Sequence, residues 1–378
     1  MRIAVNLIWL KPRAMGGVET FVRYLLLGFQ RIGLFNEFIV LTNSKAYDYL
    51  KEWGITDVYE IITEDVDPFD VARTFFYQYL NMEKIAKKLN INLLYHPTPI
   101  YPVRKIKNVK QVVTFHDLQF LHYPQYATYF QRVKYMWSWR WSLKNADKIV
   151  AISNFTRNDI IKSFRVNENK IEVIHNPIVL PEISADFSKL AHRFAIEPKG
   201  YFYTISSLLP HKNTETLLKM MNLIKHRDIN NIPHKLVISG VGKIQGSIVE
   251  RTINELGLNH NVIFTGFVTE EEKRSLIENC YCFLFPSLFE GFGMPPLEAL
   301  ILGVPAIVAK ISALEETTRG MAIYVDNPTN EEEWLDTILK HHQSFFYWNR
   351  DSELKETYSE IRAAQRYYET FLRVLSQG

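Results

Sequence analysis

Short apolar bursts alternate with longer amphipathic stretches along the whole chain. In the first half the bursts fall at residues 3–7, 37–41, 93–95, 111–114, 148–151 and 171–174. Amphipathic runs such as 18–32 and 82–89 lie between them. Short bursts of this kind read as buried strands, and the longer periodic runs read as helices. Their alternation predicts an α/β layer, a parallel sheet with helices on both faces.

The pattern breaks at residues 177–199, which hold Pro177, Pro181 and Pro198 and few long apolar runs. This stretch reads as a linker. A second alternating series follows at 201–206, 235–239, 262–265, 281–285, 305–309 and 323–325. The expected organisation is therefore two doubly wound lobes, residues 1–180 and 181–355, with a cleft between them. Ligands of such sheets bind beyond the carboxyl ends of the strands. The tail 352–375 reads as one long helix, with Ala363, Tyr367, Phe371 and Leu375 on one side. The length of 378 residues agrees, since it exceeds the usual size of one hydrophobic core.

Charge and composition narrow the partners. The 44 basic and 41 acidic residues leave a formal charge of +3, too even a balance for nucleic acid as a main partner. Cys280 and Cys282, separated by one residue, are a poor disulfide pair, and a reducing, cytoplasmic compartment is expected. The opening MRIAVNLIWL lacks the charged and small-residue regions of a signal peptide and reads as a first strand. No apolar run reaches bilayer-spanning length.

The densest chemical signal is Phe285-Pro-Ser-Leu-Phe-Glu290-Gly291-Phe292-Gly293-Met294-Pro295-Pro296-Leu297-Glu298. A buried strand is expected to end near Pro286, and a glycine-rich loop follows. Pro295 and Pro296 suit the first turn of a helix, where a missing N–H costs little. A helix N-terminus behind a glycine loop is a ready phosphate site. Glu290 lies in the loop and Glu298 about one turn into the helix. Carboxylates accept hydrogen bonds from paired hydroxyls, so Glu298 suits a ribose and Glu290 a sugar ring. The plainer alternative is two solvated surface glutamates.

The spacing Glu290-x7-Glu298 in EGFGMPPLE resembles the signature of the retaining GT-B glycosyltransferases of family 4, and the resemblance covers nearly the whole chain. It is closest to mannosyl- and rhamnosyltransferase-like members that build bacterial surface polysaccharides. It implies two Rossmann-like lobes, donor binding mainly to the second, and a closing helix at 356–378 that crosses back to the first. In the segment Ser206-Ser207-Leu-Leu-Pro-His211-Lys212-Asn213, Lys212 and Asn213 match the family pattern, while His211 replaces its arginine. Lys212 is then expected to hold the donor diphosphate. His211 helps only if protonated or as a neutral donor. Gly16-Gly17 resembles the loop that approaches donor phosphates and acceptor. Thr114-Phe115-His116-Asp117-Leu118 resembles the family's His-Asp-Leu element, which puts His116 near the transferred sugar and gives Asp117 an orienting or turn-capping role. Thr265-Gly266-Phe267-Val268 matches a region that packs on the nucleobase, and Ser207 stands beside the phosphate loop. Ser153-Asn154 reads equally well as a helix cap or a sugar contact.

The implied reaction moves a hexosyl unit from a nucleoside diphosphate sugar to a glycan or lipid-linked acceptor hydroxyl, with retention. The catalytic candidates are Glu290, His116 and Lys212. The donor-binding candidates are Gly16, Gly17, Ser207, His211, Lys212, Val268, Gly291, Phe292, Gly293, Met294, Leu297 and Glu298. GDP-mannose is expected by likeness, with UDP-sugars and dTDP-rhamnose as alternatives. No cofactor and no metal are expected, although Asp65-Val-Asp67 has a metal-binding spacing. Residues 126–148 mix Arg132, Lys134, Arg140 and Lys144 with Tyr135, Trp137, Trp139 and Trp141. They read either as a contact with an anionic membrane surface or as a core helix with a basic edge. The rival functions are another sugar-nucleotide enzyme on the same fold and a non-catalytic scaffold.

Overall fold

The computed structural model describes residues 1–349 and 351–377. Two compact units emerge, one formed by Met1–Pro177 with Tyr358–Gly378 and the other by Ile178–Thr357.

The first unit is built on strands β1 Ile3–Asn6, β2 Phe38–Asn43, β3 Glu60–Glu64, β4 Leu93–His96, β5 Lys110–Phe115, β6 Lys148–Ala151 and β7 Ile171–Val173. Their order is β3-β2-β1-β4-β5-β6-β7, all parallel. Strand β1 is buried along its length, as a strand covered on both faces must be. Strand β3 escapes the apolar-burst reading because it is an edge strand, EIITE, with no fully buried position.

The second unit carries β8 Phe202–Ile205, β9 Leu236–Ser239, β10 Val262–Gly266, β11 Phe283–Phe285, β12 Ala306–Ala309 and β13 Ile323–Val325. Their order is β10-β9-β8-β11-β12-β13, again parallel. In each sheet the order reverses beside the first strand, at β1/β4 and at β8/β11.

Two expectations are corrected. The stretch 177–199 is not a bare linker, because Phe187–Phe194 is a helix, capped by Asp186 and anchored by buried Leu190. The tail is not one helix but two, Ser352–Thr357 and Glu360–Ser376, and Ser359 in extended conformation caps the second. The break falls where the chain leaves the second unit.

The helix Glu360–Ser376 packs on Gly17–Arg31 within the first unit. Ala364, Tyr367 and Phe371 are fully buried there, with Tyr367 5.5 Å from the Tyr95 ring. The approach is close enough that a Cβ on Gly28 would overlap the Glu360 carbonyl oxygen. Arg31 pairs with Glu360 at the same crossing.

Candidate functional site

In the second unit, β8 and β11 are neighbours at the reversal, so the loops after them leave the sheet side by side. Several bonds lock those loops together. The Leu288 amide donates to the His211 carbonyl at 2.7 Å. Asn213 Nδ2 donates to the carbonyls of Pro286 (3.2 Å) and Pro328 (2.7 Å). Asn213 itself sits in the left-handed region at φ 53° and accepts the Thr216 hydroxyl. Its part in the motif is therefore to brace two loops.

The locked loops bring Lys212 and Glu290 together, with Lys212 Nζ 2.6 Å from Glu290 Oε1. Their side chains keep 23% and 15% exposure, enough for a solute to reach them. The Glu290 amide donates to Ser312 Oγ at 3.0 Å, which fixes the carboxylate's backbone from the segment after β12. The Lys212 ammonium also stands 5.7 Å from the centre of the Phe285 ring. An anion entering here meets a cation already shared with a carboxylate.

His211 is 2% exposed, and burial, reinforced by the Lys212 charge, pushes its pKa down to about 4. It is neutral near pH 7, which removes the protonated role from the two that the sequence allows.

Glu298 is the fifth residue of the helix Met294–Ile301 and is 3% exposed. It is not a solvated surface glutamate. Its Oε1 accepts from Lys273 Nζ at 2.9 Å, and Lys273 also meets Glu270 at 2.7 Å. Its Oε2 is buried without a hydrogen-bond partner. Burial pushes this carboxyl's pKa up, against the pull of Lys273. A buried acceptor lacking a donor costs on the order of 1–3 kcal/mol. Lys273 carries no sequence signal, since it lies 25 residues away on the helix Glu270–Asn279.

Gly293 holds φ 84° at the N-cap of Met294–Ile301, and a Cβ there would overlap Leu314. Since proline has no N–H, Pro295 and Pro296 leave Gly293 and Met294 as the amides of the first turn. Phe292 and Leu297 are buried, at 3% and 0%, so their side chains shape this loop from inside rather than line its surface. Gly291 is buried as well.

The ends of β9 and β10 close the same edge. The Gly240 amide donates to the Gly266 carbonyl at 2.9 Å, and a Cβ on Gly240 would stand 2.8 Å from the Ser206 carbonyl oxygen. Val268 is half-buried, as is Ser207, whose Oγ accepts from the Leu209 amide at 3.4 Å. Phe267, in the segment that the resemblance sets against the nucleobase, is 80% exposed beside them.

The first unit has its own cluster. His116 follows β5, and its Nε2 lies 2.8 Å from the Pro97 carbonyl oxygen. A carbonyl only accepts, so the neutral ring donates through Nε2 and keeps its lone pair on Nδ1. Burial pushes its pKa down to about 4. Phe21 holds the ring edge-on at 4.9 Å. Asp117 accepts from the Gln119 amide at 2.9 Å, as a turn cap does. Gly16 and Gly17 are exposed at the start of Gly17–Arg31, and the Glu19 carboxylate orders the preceding loop by accepting from the Arg13 and Met15 amides. The Ser153 side chain caps Asn154–Phe164. Asp67 pairs with Lys45 at 2.6 Å.

Two Rossmann-like units, each reversing strand order beside its first strand, define the class as GT-B-like. The fold of a sucrose-phosphate synthase from Thermosynechococcus elongatus matches at a TM-score of 0.77 with 15% identity, covering all of both chains. The Anabaena protein HepE, solved in complex with UDP-glucose, matches at 0.74 with 17% identity over 99% of this chain and all of that one. Residues 15–180 match the family model Glycosyltransferase Family 4, and residues 188–344 match Glycosyl transferases group 1. The chain thus carries the domains of both glycosyltransferase family models, one after the other. It is 27% identical over 255 residues to the O-antigen chain mannosyltransferase RfbU of Salmonella typhimurium, covering 68% of this chain. It is also 27% identical over 252 residues to the O-antigen chain mannosyltransferase B of Escherichia coli, covering 66% of this chain. The matches span 65% and 64% of those relatives' own lengths, just under two thirds.

Proposed function

We propose that the protein is a retaining glycosyltransferase that moves a hexosyl unit, with mannose favoured, from a nucleoside diphosphate sugar to a glycan or lipid-linked acceptor hydroxyl in surface-polysaccharide synthesis. The observation that carries the reading is the Lys212–Glu290 pair at 2.6 Å, held by two braced loops at the strand-order reversal of the second unit. Mannose is favoured because the relatives from Salmonella typhimurium and Escherichia coli are named as mannosyltransferases. A nucleotide-sugar donor is supported by the UDP-glucose complex of HepE.

The hard step is departure of the diphosphate as positive charge develops on the sugar. Lys212 and the amides of Gly293 and Met294 supply the charge and dipoles that stabilise the leaving group. Glu290 orients the sugar and offsets its charge. Glu298, with an acceptor oxygen to spare, takes a ribose hydroxyl. In the first unit, Nδ1 of His116 accepts from a sugar hydroxyl, and the exposed Gly16-Gly17 loop serves phosphate or acceptor. No protein nucleophile is assigned: in front-face attack a donor phosphate oxygen takes the acceptor's proton. No metal or cofactor enters the reading. The protein would work at the cytoplasmic face of a membrane, where lipid-linked acceptors are held.

The test is a screen of GDP-, UDP- and dTDP-sugars for transfer, with the product's anomeric configuration read by NMR. Transfer with retention from one donor, lost at least ~100-fold in Glu290→Gln, is expected. An inverted product, or near-normal turnover by the variant, refutes the reading.

A further inference from the structure

The contact between Lys273 and Glu298 joins two helices of the second unit, the ones that follow β10 and β11. Lys273 is the fourth residue of Glu270–Asn279. That helix opens on a complete capping box: Thr269 Oγ1 accepts from the Glu272 amide, and the Glu272 carboxylate accepts from the Thr269 amide. The box fixes the first turn, and with it the base of the Lys273 side chain. From there the ammonium is divided between two carboxylates, Glu270 at 2.7 Å and Glu298 at 2.9 Å. The two are unequal, because the Glu270 side chain is 37% exposed and that of Glu298 only 3%. Tyr203 on β8 also stands within electrostatic reach of Lys273 and Glu298. Burial raises its pKa and keeps it neutral, and its hydroxyl donates to Ser239 Oγ at 2.8 Å. Of these groups, Lys273 alone brings positive charge to Glu298.

A tie between two helices is a poor account of this contact. An ion pair taken out of water recovers its desolvation cost only if the remaining lone pairs are satisfied. Here Oε1 of Glu298 is held by Lys273, while Oε2 is buried without a hydrogen-bond partner. One oxygen is thus fixed and the other presented. A hydroxyl donating to a carboxylate makes a bond roughly twice as strong as one donating to a neutral acceptor. The strength of any such bond at Oε2 therefore depends on the charge that Lys273 sustains.

We infer that Lys273 is a positioning residue, which holds Glu298 as an oriented carboxylate so that its second oxygen accepts a ribose hydroxyl of the donor nucleotide. The inference rests on the donor reading proposed above and adds the residue that sets the strength of the ribose contact. Burial already raises the Glu298 pKa, and Lys273 pulls it down. Without the ammonium the carboxyl takes up a proton at higher pH, and the charge-assisted bond is lost until the pH is raised far enough to remove it.

The test is calorimetric titration of the full chain with GDP, UDP and their 2′,3′-dideoxy counterparts, from about pH 6 to about pH 9. The members of each pair share a base and a phosphate titration, so their affinity ratio isolates the ribose hydroxyls. The parent is expected to prefer the ribose form at least ~10-fold near pH 7. Lys273→Met should cut the preference there to about 3-fold or less, with dideoxy affinity unchanged, and the preference should return as the pH rises. Lys273→Gln takes its place if Lys273→Met does not keep the parent's thermal midpoint. A parent indifferent to the ribose hydroxyls overturns the inference. So does a variant that keeps the parent's ratio, that weakens both forms equally, or whose lost ratio no pH restores. If neither GDP nor UDP binds the parent the inference falls, and if dTDP fails as well the donor reading falls with it.

Discussion

His96, His116 and His211 each have a pKa pushed down to about 4, in every case chiefly by burial. His96 and His211 are the more enclosed, at 8% and 2% exposure, and carry most of the consequence. An unfolded histidine titrates near 6.5. Between about 6.5 and 4 the unfolded chain takes up protons that the folded chain refuses, so stability falls as pH drops through that window and levels off below it. Glu298, whose carboxyl pKa is raised by burial, opposes part of the loss. The expected thermal midpoint declines already by pH 6, above the ordinary carboxylate range, and His211→Gln flattens the decline. A midpoint flat from 6.5 to 4 would contradict this account of the interior. At this scale the motif residues were legible but their partners were not. Lys212, Glu290 and Glu298 stand out in the sequence. Lys273 and Ser312 do not, because a lysine or serine on a distant segment has no local pattern and is recruited only by the fold.

Elements with a buried face on both sides were legible as apolar bursts, and twelve of the strands are centred on them. The thirteenth, β3, was hidden because an edge strand buries little. The tail's break at Ser359 and the helix Phe187–Phe194 were missed for another reason: a serine cap and a single buried leucine leave the helical periodicity or the proline punctuation looking dominant. The crossing of Gly17–Arg31 with Glu360–Ser376 yields a prediction of definite sign. Helix propensity alone would make Gly28→Ala stabilising by up to about 1 kcal/mol. The Glu360 carbonyl occupies the space of the new methyl, so the variant is expected to lose about 1–3 kcal/mol in denaturant unfolding. A gain in stability would mean that the helices do not approach so closely.

For the whole molecule, the two-lobed class and the family were readable because strand–helix alternation is periodic and the Glu290–Glu298 loop is dense in glycine and proline. What the sequence could not carry was the joining of separate segments. The Lys212–Glu290 pair unites residues 78 positions apart, and Lys273 reaches Glu298 across 25. The central claim is that the reversal of strand order in the second unit holds a nucleoside diphosphate through Lys212. Calorimetric titration of GDP, UDP and dTDP into the parent, Lys212→Met and Glu290→Gln tests it most directly. The account predicts that the parent binds one base preferentially and that Lys212→Met weakens it at least ~10-fold. It predicts that Glu290→Gln binds as tightly or more tightly, since the amide no longer competes for the ammonium. Equal affinity of the parent and Lys212→Met, or no binding of any of the three diphosphates, would contradict it.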